Sequence, residues 1–114
     1  MLLRKFWRST AGNFALVLGL GLPAIITAVA FAVDVSTMMQ AKVNLQNALD
    51  AANLASSHLG DLDVTRNDAF DRYFKVNVAG HSELGNAQAT LTVDKGVNYI
   101  KTKAVATADV NLNF

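Results

Sequence analysis

The stretch Phe14–Val33, FALVLGLGLPAIITAVAFAV, decides the fold of this chain. No charged residue lies between Arg8 and Asp34. Twenty residues in a helix span about 30 Å, which is the hydrocarbon thickness of a bilayer. We therefore predict a transmembrane helix over residues 14–33, which we call the apolar segment.

The charges on either side of the apolar segment predict its orientation. Three basic residues and no acid precede it, namely Arg4, Lys5 and Arg8, whereas the first charge after it is Asp34. By the positive-inside rule, residues 1–13 are cytoplasmic and the chain from Asp34 onward is periplasmic in a bacterium. We expect Asp34 to be a hydrated carboxylate at the membrane boundary, the alternative being a pair with a basic group on a neighbouring helix.

The apolar segment contains a stripe of small residues and a proline that lies close to two glycines. Small side chains about four positions apart form a stripe for close helix packing: Ala15, Gly19, Ala24, Ala28 and Ala32. The alternative is that alanine is simply common in membrane helices. Pro23 removes a backbone donor, and together with Gly19 and Gly21 it predicts a kink or local unwinding over residues 19–23.

A secretory signal peptide is the main rival to a membrane anchor. A basic start, an apolar run and the small residues of Ala28-Val29-Ala30 or Ala30-Phe31-Ala32 fit a signal sequence with an A-x-A cleavage site. The apolar run is longer than a usual signal core, which favours the anchor. Cleavage near Ala30 stays open at this point.

The helical pattern continues through residues 34–60. From Asp34 to Leu59 there is no proline or glycine, and Gly60 is a typical residue for a helix end. Apolar side chains recur at a three–four spacing, and we assign helix packing to Leu45, Leu49 and Ala52, with alanines at 41, 48, 51 and 55 beside them. If this helix is continuous with the apolar segment, it is about 70 Å long.

The sequence pattern of residues 61–114 predicts a small α+β part. Thr65 is a candidate N-cap, and Phe70, Tyr73 and Phe74 fall on one face of a short helix. Residues 79–86 contain two glycines and predict a connector. The periodicity then changes from 3.6 to 2. The predicted fold is therefore α+β: a long N-terminal helix, a short helix and a small antiparallel sheet.

The alternating residues predict a sheet with one covered face. Leu91 and Val93 alternate with threonines, and Asp94-Lys95-Gly96 is a turn signal. A longer run follows, with one face made of Ile100, Thr102, Ala104, Ala106, Ala108, Val110, Leu112 and Phe114. So long a run predicts a bulge or a second pairing. Its apolar face needs a partner, either the preceding helices or another protein.

Composition and motifs argue against an enzyme. Residues 34–114 carry seven basic and nine acidic residues, which does not favour nucleic-acid binding. Cysteine is absent, and His58 and His81 are isolated from other ligand types. No serine lies in a nucleophile elbow. We predict no catalytic site, cofactor, metal or small-molecule substrate, and the lipid bilayer is the first expected partner.

Three stretches resemble the N-terminal module of the TadE/TadG-like proteins of the tight-adherence (Tad) system, which assembles Flp pili. They are RSTAGNFA over residues 8–15, AVDV over residues 32–35 and LQNALDAANLA over residues 45–55. The resemblance implies a pilin-like bacterial inner-membrane protein that serves pilus biogenesis or is a minor pilus component. Its partners would be other pilus-assembly or pilin-like proteins, including copies of itself.

One departure from the family pattern bears on function. Members processed by a prepilin peptidase carry a glutamate five residues after the cleaved glycine, and counting from Gly12 this position is Val17. An uncleaved, TadG-like member fits better. Many such proteins continue into a large extracellular domain, so this chain is expected to be a truncated module or a minimal member. Two functions stay open: a resident assembly component, or a polymerising subunit with a helical filament core.

Overall fold

The computed structural model describes residues 2–8, 10–58 and 63–112. Its elements are the helices α1 (Leu2–Arg8), α2 (Thr10–Ser57) and α3 (Asp63–Ala79) and the strands β1 (Leu84–Lys95) and β2 (Ile100–Val110). The strands form one antiparallel sheet. The predicted α+β class is confirmed. The expected helix end at Gly60 and the strand residue Phe114 lie outside the described residues.

The chain divides into two units, and the first contains the described residues up to Val35. It consists of α1 and the N-terminal part of α2, and the large apolar side chains of the apolar segment are exposed in it. Residues 19–23 are helical, so the alternative of local unwinding there is wrong. A kink at these residues stays a prediction. One turn further on, the Thr27 hydroxyl donates a hydrogen bond of 2.8 Å to the Pro23 carbonyl oxygen.

The second unit, Ser36–Leu112, has a small hydrophobic core. Its buried members come from two helices: Ala48, Leu49 and Ala52 of α2, and Phe70 and Phe74 of α3. The two phenylalanine rings are stacked, with centroids 6.3 Å apart and planes inclined by 6°. Partly buried residues pack against this core from all four elements: Leu45, Val78, Ala87, Ala89, Leu91, Ala104 and Ala106.

The sheet covers the core with one face, as its alternating sequence predicts for residues 102–110, but Ile100 and Leu112, which were predicted on that face, are exposed. Along β2, the side chains of Thr102, Ala104, Ala106, Ala108 and Val110 are half-buried, while those between them are exposed. The register runs from Leu84 opposite Val110 to Lys95 opposite Ile100. A two-stranded sheet is marginal by itself, so its contact with the core helices is what stabilises it.

A β-bulge interrupts the ladder near the start of β1. Gly85 faces Asp109 and Gln88 faces Thr107, so two residues of β1, Asn86 and Ala87, face a single residue of β2. Asn86 has a positive φ of 47°, which asparagine tolerates better than most residues. The extra residue reverses the alternation. Leu84 and Ala87 therefore lie on the same covered face, although their positions differ by an odd number.

Three local predictions are wrong. The bulge lies on β1 and not in the long run after residue 100. The connector spans only residues 80–83, because Gly85 and Asn86 belong to the bulged strand and not to a loop. Thr65 is not the N-cap, because α3 already begins at Asp63 and Thr65 lies in its first turn.

Candidate functional site

The first unit presents the apolar segment as an exposed surface. Leu20 is 76% exposed, and Phe14, Ile25, Ile26, Val29 and Phe31 are also exposed. Among the described residues, α2 is the one helix long and apolar enough to cross a membrane. A contiguous apolar surface of this kind is typical of a lipid or protein contact.

The residues that we assigned to topology and membrane-segment packing all lie in this unit. Arg4, Lys5 and Arg8 are exposed on α1. The stripe residues Ala15, Gly19, Ala24, Ala28 and Ala32 are exposed along α2, and Gly21 is half-buried. The structure brings none of the stripe residues into the hydrophobic core described above. Their packing role stays a prediction.

Asp34 is not hydrated as we expected. Its side chain is only 4% exposed, and it takes part in an interaction within the protein. Burial of an ionisable group needs compensating contacts, which a local reading of the sequence does not reveal. The expectation of an interfacial hydrated carboxylate is therefore wrong.

The predicted packing residues in the C-terminal part of α2 lie in or against the hydrophobic core of the second unit. Leu49 and Ala52 are buried members of the hydrophobic core that also contains Phe70 and Phe74, and Leu45 is partly buried against this core. Small residues at Ala41, Ala48 and Ser56 are buried as well. The sequence pattern places the alanines only beside the predicted packing residues. Their recurrence along the helix is the signal that identifies a face for close packing.

A polar contact joins α2 to the connector after α3. The side-chain amide of Asn44 donates a hydrogen bond of 2.7 Å to Glu83 Oε1, and His81 Nδ1 lies 3.2 Å from the same oxygen. A hydrogen bond from its own backbone N–H, then those from Asn44 and His81 and the charge of His81, hold the pKa of Glu83 below its ordinary value. This contact fixes residues 81–84 beside α2, which the sequence did not predict.

A second polar cluster joins α3 to the end of β1. Asp63 Oδ1 accepts from Lys95 Nζ at 2.8 Å and from the Arg66 guanidinium at 3.2 Å. The hydrogen bond from Lys95 and then the two positive charges lower the pKa of Asp63. Arg66 is 1% exposed and is among the largest fully buried side chains. The cluster therefore holds the first turn of α3 against the sheet.

Neither polar cluster has the composition of a catalytic or metal centre. In the described ranges, no three side chains from histidine, cysteine, aspartate and glutamate come together as metal ligands. A shallow depression of about 280 Å³ on α3 is lined by Arg72, Tyr73 and Val76. It contains no pair of acid and base groups of the kind that catalysis requires.

Comparison with known families gives a match in the N-terminal part of the chain. The Tad family model, TadE/G-like Flp pilus assembly, matches residues 12–57. The matched range includes the whole apolar segment and the C-terminal part of α2 that packs on α3. Comparisons with curated proteins and with solved structures give no significant match.

The family match supports a role in Flp/Tad pilus assembly. It also indicates interaction with other pilus proteins. Together, the match and the apolar helix suggest a single-pass, membrane-anchored protein. Over residues 12–57 the chain is thus similar to the TadE/G-like Flp pilus-assembly family, and the resemblance predicted from its sequence is confirmed.

Proposed function

We propose that the chain is a resident inner-membrane component of Flp/Tad-type pilus assembly. The observation that carries the proposal is the match to the Tad family over residues 12–57, because this range contains the exposed apolar segment. In the proposal, α2 anchors the chain in the bilayer. The second unit contacts other pilus proteins through its helices and its sheet.

We further propose a cytoplasmic N-terminus and a periplasmic second unit. The support is the cluster Arg4, Lys5 and Arg8 before the apolar segment. Because cysteine is absent from the chain, single cysteines can report the orientation. An impermeant maleimide applied to intact spheroplasts should label Lys75→Cys, and should label Leu3→Cys only after lysis. The reverse pattern contradicts the orientation.

A polymerising pilin-like subunit is the second candidate. It is favoured by the exposed stripe of small residues along α2, which suits helix bundling in a filament core. Val17, at the position of the glutamate in processed pilins, weighs against it. The resident component therefore stands as the first candidate.

Fractionation after shearing separates the two candidates. A strain that lacks the chain should lose Flp pili and regain them on complementation. The complementing protein should stay in the membrane fraction, and its intact mass should be that of a chain that begins at Met1. Recovery in the sheared filaments, with the mass of a chain that begins at Asn13, supports the polymerising subunit. The mass of a chain that begins near Phe31 supports a cleaved signal peptide.

We also propose that the stripe contacts another helix in the membrane. Ala28→Leu places a larger side chain on the stripe and should weaken cross-linking to the partner. Val29→Leu is the matched control, because Val29 is exposed on an adjacent position and already large. Equal cross-linking for both variants contradicts a role for the stripe.

A further inference from the structure

The strand β2 has one unpaired edge in the part of the chain that the structure describes. Its ladder partner is β1, and the sheet has the order β1-β2. The other edge of this eleven-residue strand presents backbone N–H and C=O groups without a ladder partner. Proteins usually cover, shorten or charge such an edge, because it pairs readily with another strand.

The exposed side chains of β2 have opposite charges at the two ends. Lys101 and Lys103 lie near the start of the strand, and Asp109 lies near its end. Between them, Val105 is 53% exposed on an otherwise polar face, and it occupies the midpoint of Ile100–Val110. When a second copy of this strand runs antiparallel to the first, the basic end of each copy lies beside the acidic end of the other.

We propose that β2 pairs with β2 of a second copy of this chain, antiparallel and about a two-fold axis at Val105. In this register Lys101 of each copy faces Asp109 of the other, Lys103 faces Thr107 and Val105 faces itself. Opposite charges directly across an antiparallel pair are stabilising. The two-fold axis repeats each favourable contact.

Several other registers of the same edge bring like charges together. A two-fold axis at Lys103 places the two Lys103 side chains opposite each other, and one at Thr102 places Lys101 opposite Lys103. A parallel in-register pair aligns every charge with its own copy. Like charges in these positions are destabilising. The axis at Val105 also pairs the full length of the strand.

The covered face is compatible with the same register. On that face Ala104 meets Ala106 of the other copy, and Thr102 meets Ala108, so small side chains continue across the new pair. The result is a four-stranded sheet in the order β1-β2-β2-β1, which is more stable than a two-stranded one. The contact closes on itself and does not by itself generate a filament.

Charge exchange tests the proposal on the full chain in detergent, with mass measured by sedimentation. Asp109→Lys should weaken the wild-type dimer about tenfold, because two Lys–Asp contacts become Lys–Lys contacts. Lys101→Asp should weaken it similarly. An equal mixture of the two variants should regain dimers, because each new acid then faces a new base.

Two results of this experiment overturn the proposal. One is a wild-type chain that stays monomeric. The other is a dimer whose strength is unchanged by the charge variants, which assigns the association to other surfaces such as the transmembrane helices. Since Lys101 also faces Asp94 within the sheet, circular dichroism of each variant checks that the fold is kept.

A cysteine pair tests the register itself. Val105→Cys brings two cysteines opposite each other, with Cα atoms about 4.5–5.5 Å apart, which a disulfide can bridge. Thr107→Cys is the matched control on the same face, because its two copies lie about 13 Å apart along the strands. Mild oxidation should cross-link Val105→Cys and not Thr107→Cys. Equal yields, or no product from Val105→Cys, contradict the register. The pilus proposal does not depend on this outcome.

Discussion

The two parts of α2 have the same secondary structure and opposite surroundings. In the apolar segment, large side chains such as Leu20 are exposed. In residues 41–56, small side chains such as Ala52, which is 0% exposed, are covered by the chain itself. The difference teaches that one continuous helix can expose apolar side chains along one part and bury side chains in the core of its own chain along another.

The largest expected effect is the loss of the second unit's core. Phe70→Ala removes a buried ring that stacks on Phe74 and contacts α2, and should lower the free energy of unfolding by about 3–5 kcal/mol. That is a large fraction of the stability of a small domain. Thermal unfolding of the full chain, followed by circular dichroism, should show the loss of a cooperative transition.

Tyr73→Ala is the control for this prediction on the same helix. Tyr73 is half-exposed, so its truncation should change the unfolding free energy by less than about 1 kcal/mol. Similar losses for Phe70→Ala and Tyr73→Ala would contradict the core that we describe.

The next effect is on membrane insertion, and it compares a charge placed in the apolar segment of α2 with one placed further along the helix. Ile25→Lys places a charge in the apolar segment and should disfavour membrane insertion by about 3 kcal/mol. Met39→Lys is the matched change on the same helix, since both side chains are exposed to a similar degree, and it should have little effect. The measurement is the fraction of protein that resists alkaline carbonate extraction. Equal fractions would show that the apolar segment does not lie in the bilayer.

A smaller effect is expected at the β-bulge. Asn86→Val places a β-branched residue at a positive φ and removes the hydrogen bond of 3.0 Å to Asp109 Oδ2. It should cost roughly 1–2 kcal/mol, measured as a shift of the denaturant midpoint. Asn86→Gly loses the same hydrogen bond but tolerates the backbone angle, so it should be milder. A valine variant as stable as the glycine variant would contradict the strain at this position.

The smallest effect is a pH dependence at Asp63. Lys95 and Arg66 lower the pKa of Asp63 in the folded state. Its contribution to stability is therefore present above the unfolded pKa of about 3.9 and is lost as the pH falls through the folded pKa. Carboxyl NMR titration should find the pKa of Asp63 below its ordinary value. Lys95→Met should raise the pKa of Asp63, and an unchanged pKa would contradict the contact between Lys95 and Asp63.

Much of the fold follows from local patterns in the sequence. The long apolar run and the absence of helix breakers from Asp34 to Leu59 predict α2, and the change of period predicts the sheet and its covered face. These features depend on residues a few positions apart. The start of β1 was missed because Gly85 and Asn86 resemble a loop, and their place in a bulge depends on Asp109 across the sheet.

The polar contacts were missed for the same reason. Asn44 and Glu83 are 39 positions apart, and no local pattern relates them. Arg66 reads as an ordinary charged residue of an exposed helix face, yet it is fully buried beside Asp63. Asp63 and Arg66 are three positions apart on one helix, so their pairing is a local pattern. The burial of Arg66 and the contact of Asp63 with Lys95 of β1 are properties of the tertiary structure.

The sequence by itself therefore determined the apolar segment, the α+β class and the resemblance to the Tad family, because hydrophobic length and period act over neighbouring residues. The tertiary structure decided which face of α2 meets α3, where the ladder is bulged and which edge of β2 stays open. These features depend on contacts between distant residues, whose free energy is gained only when the whole second unit packs together.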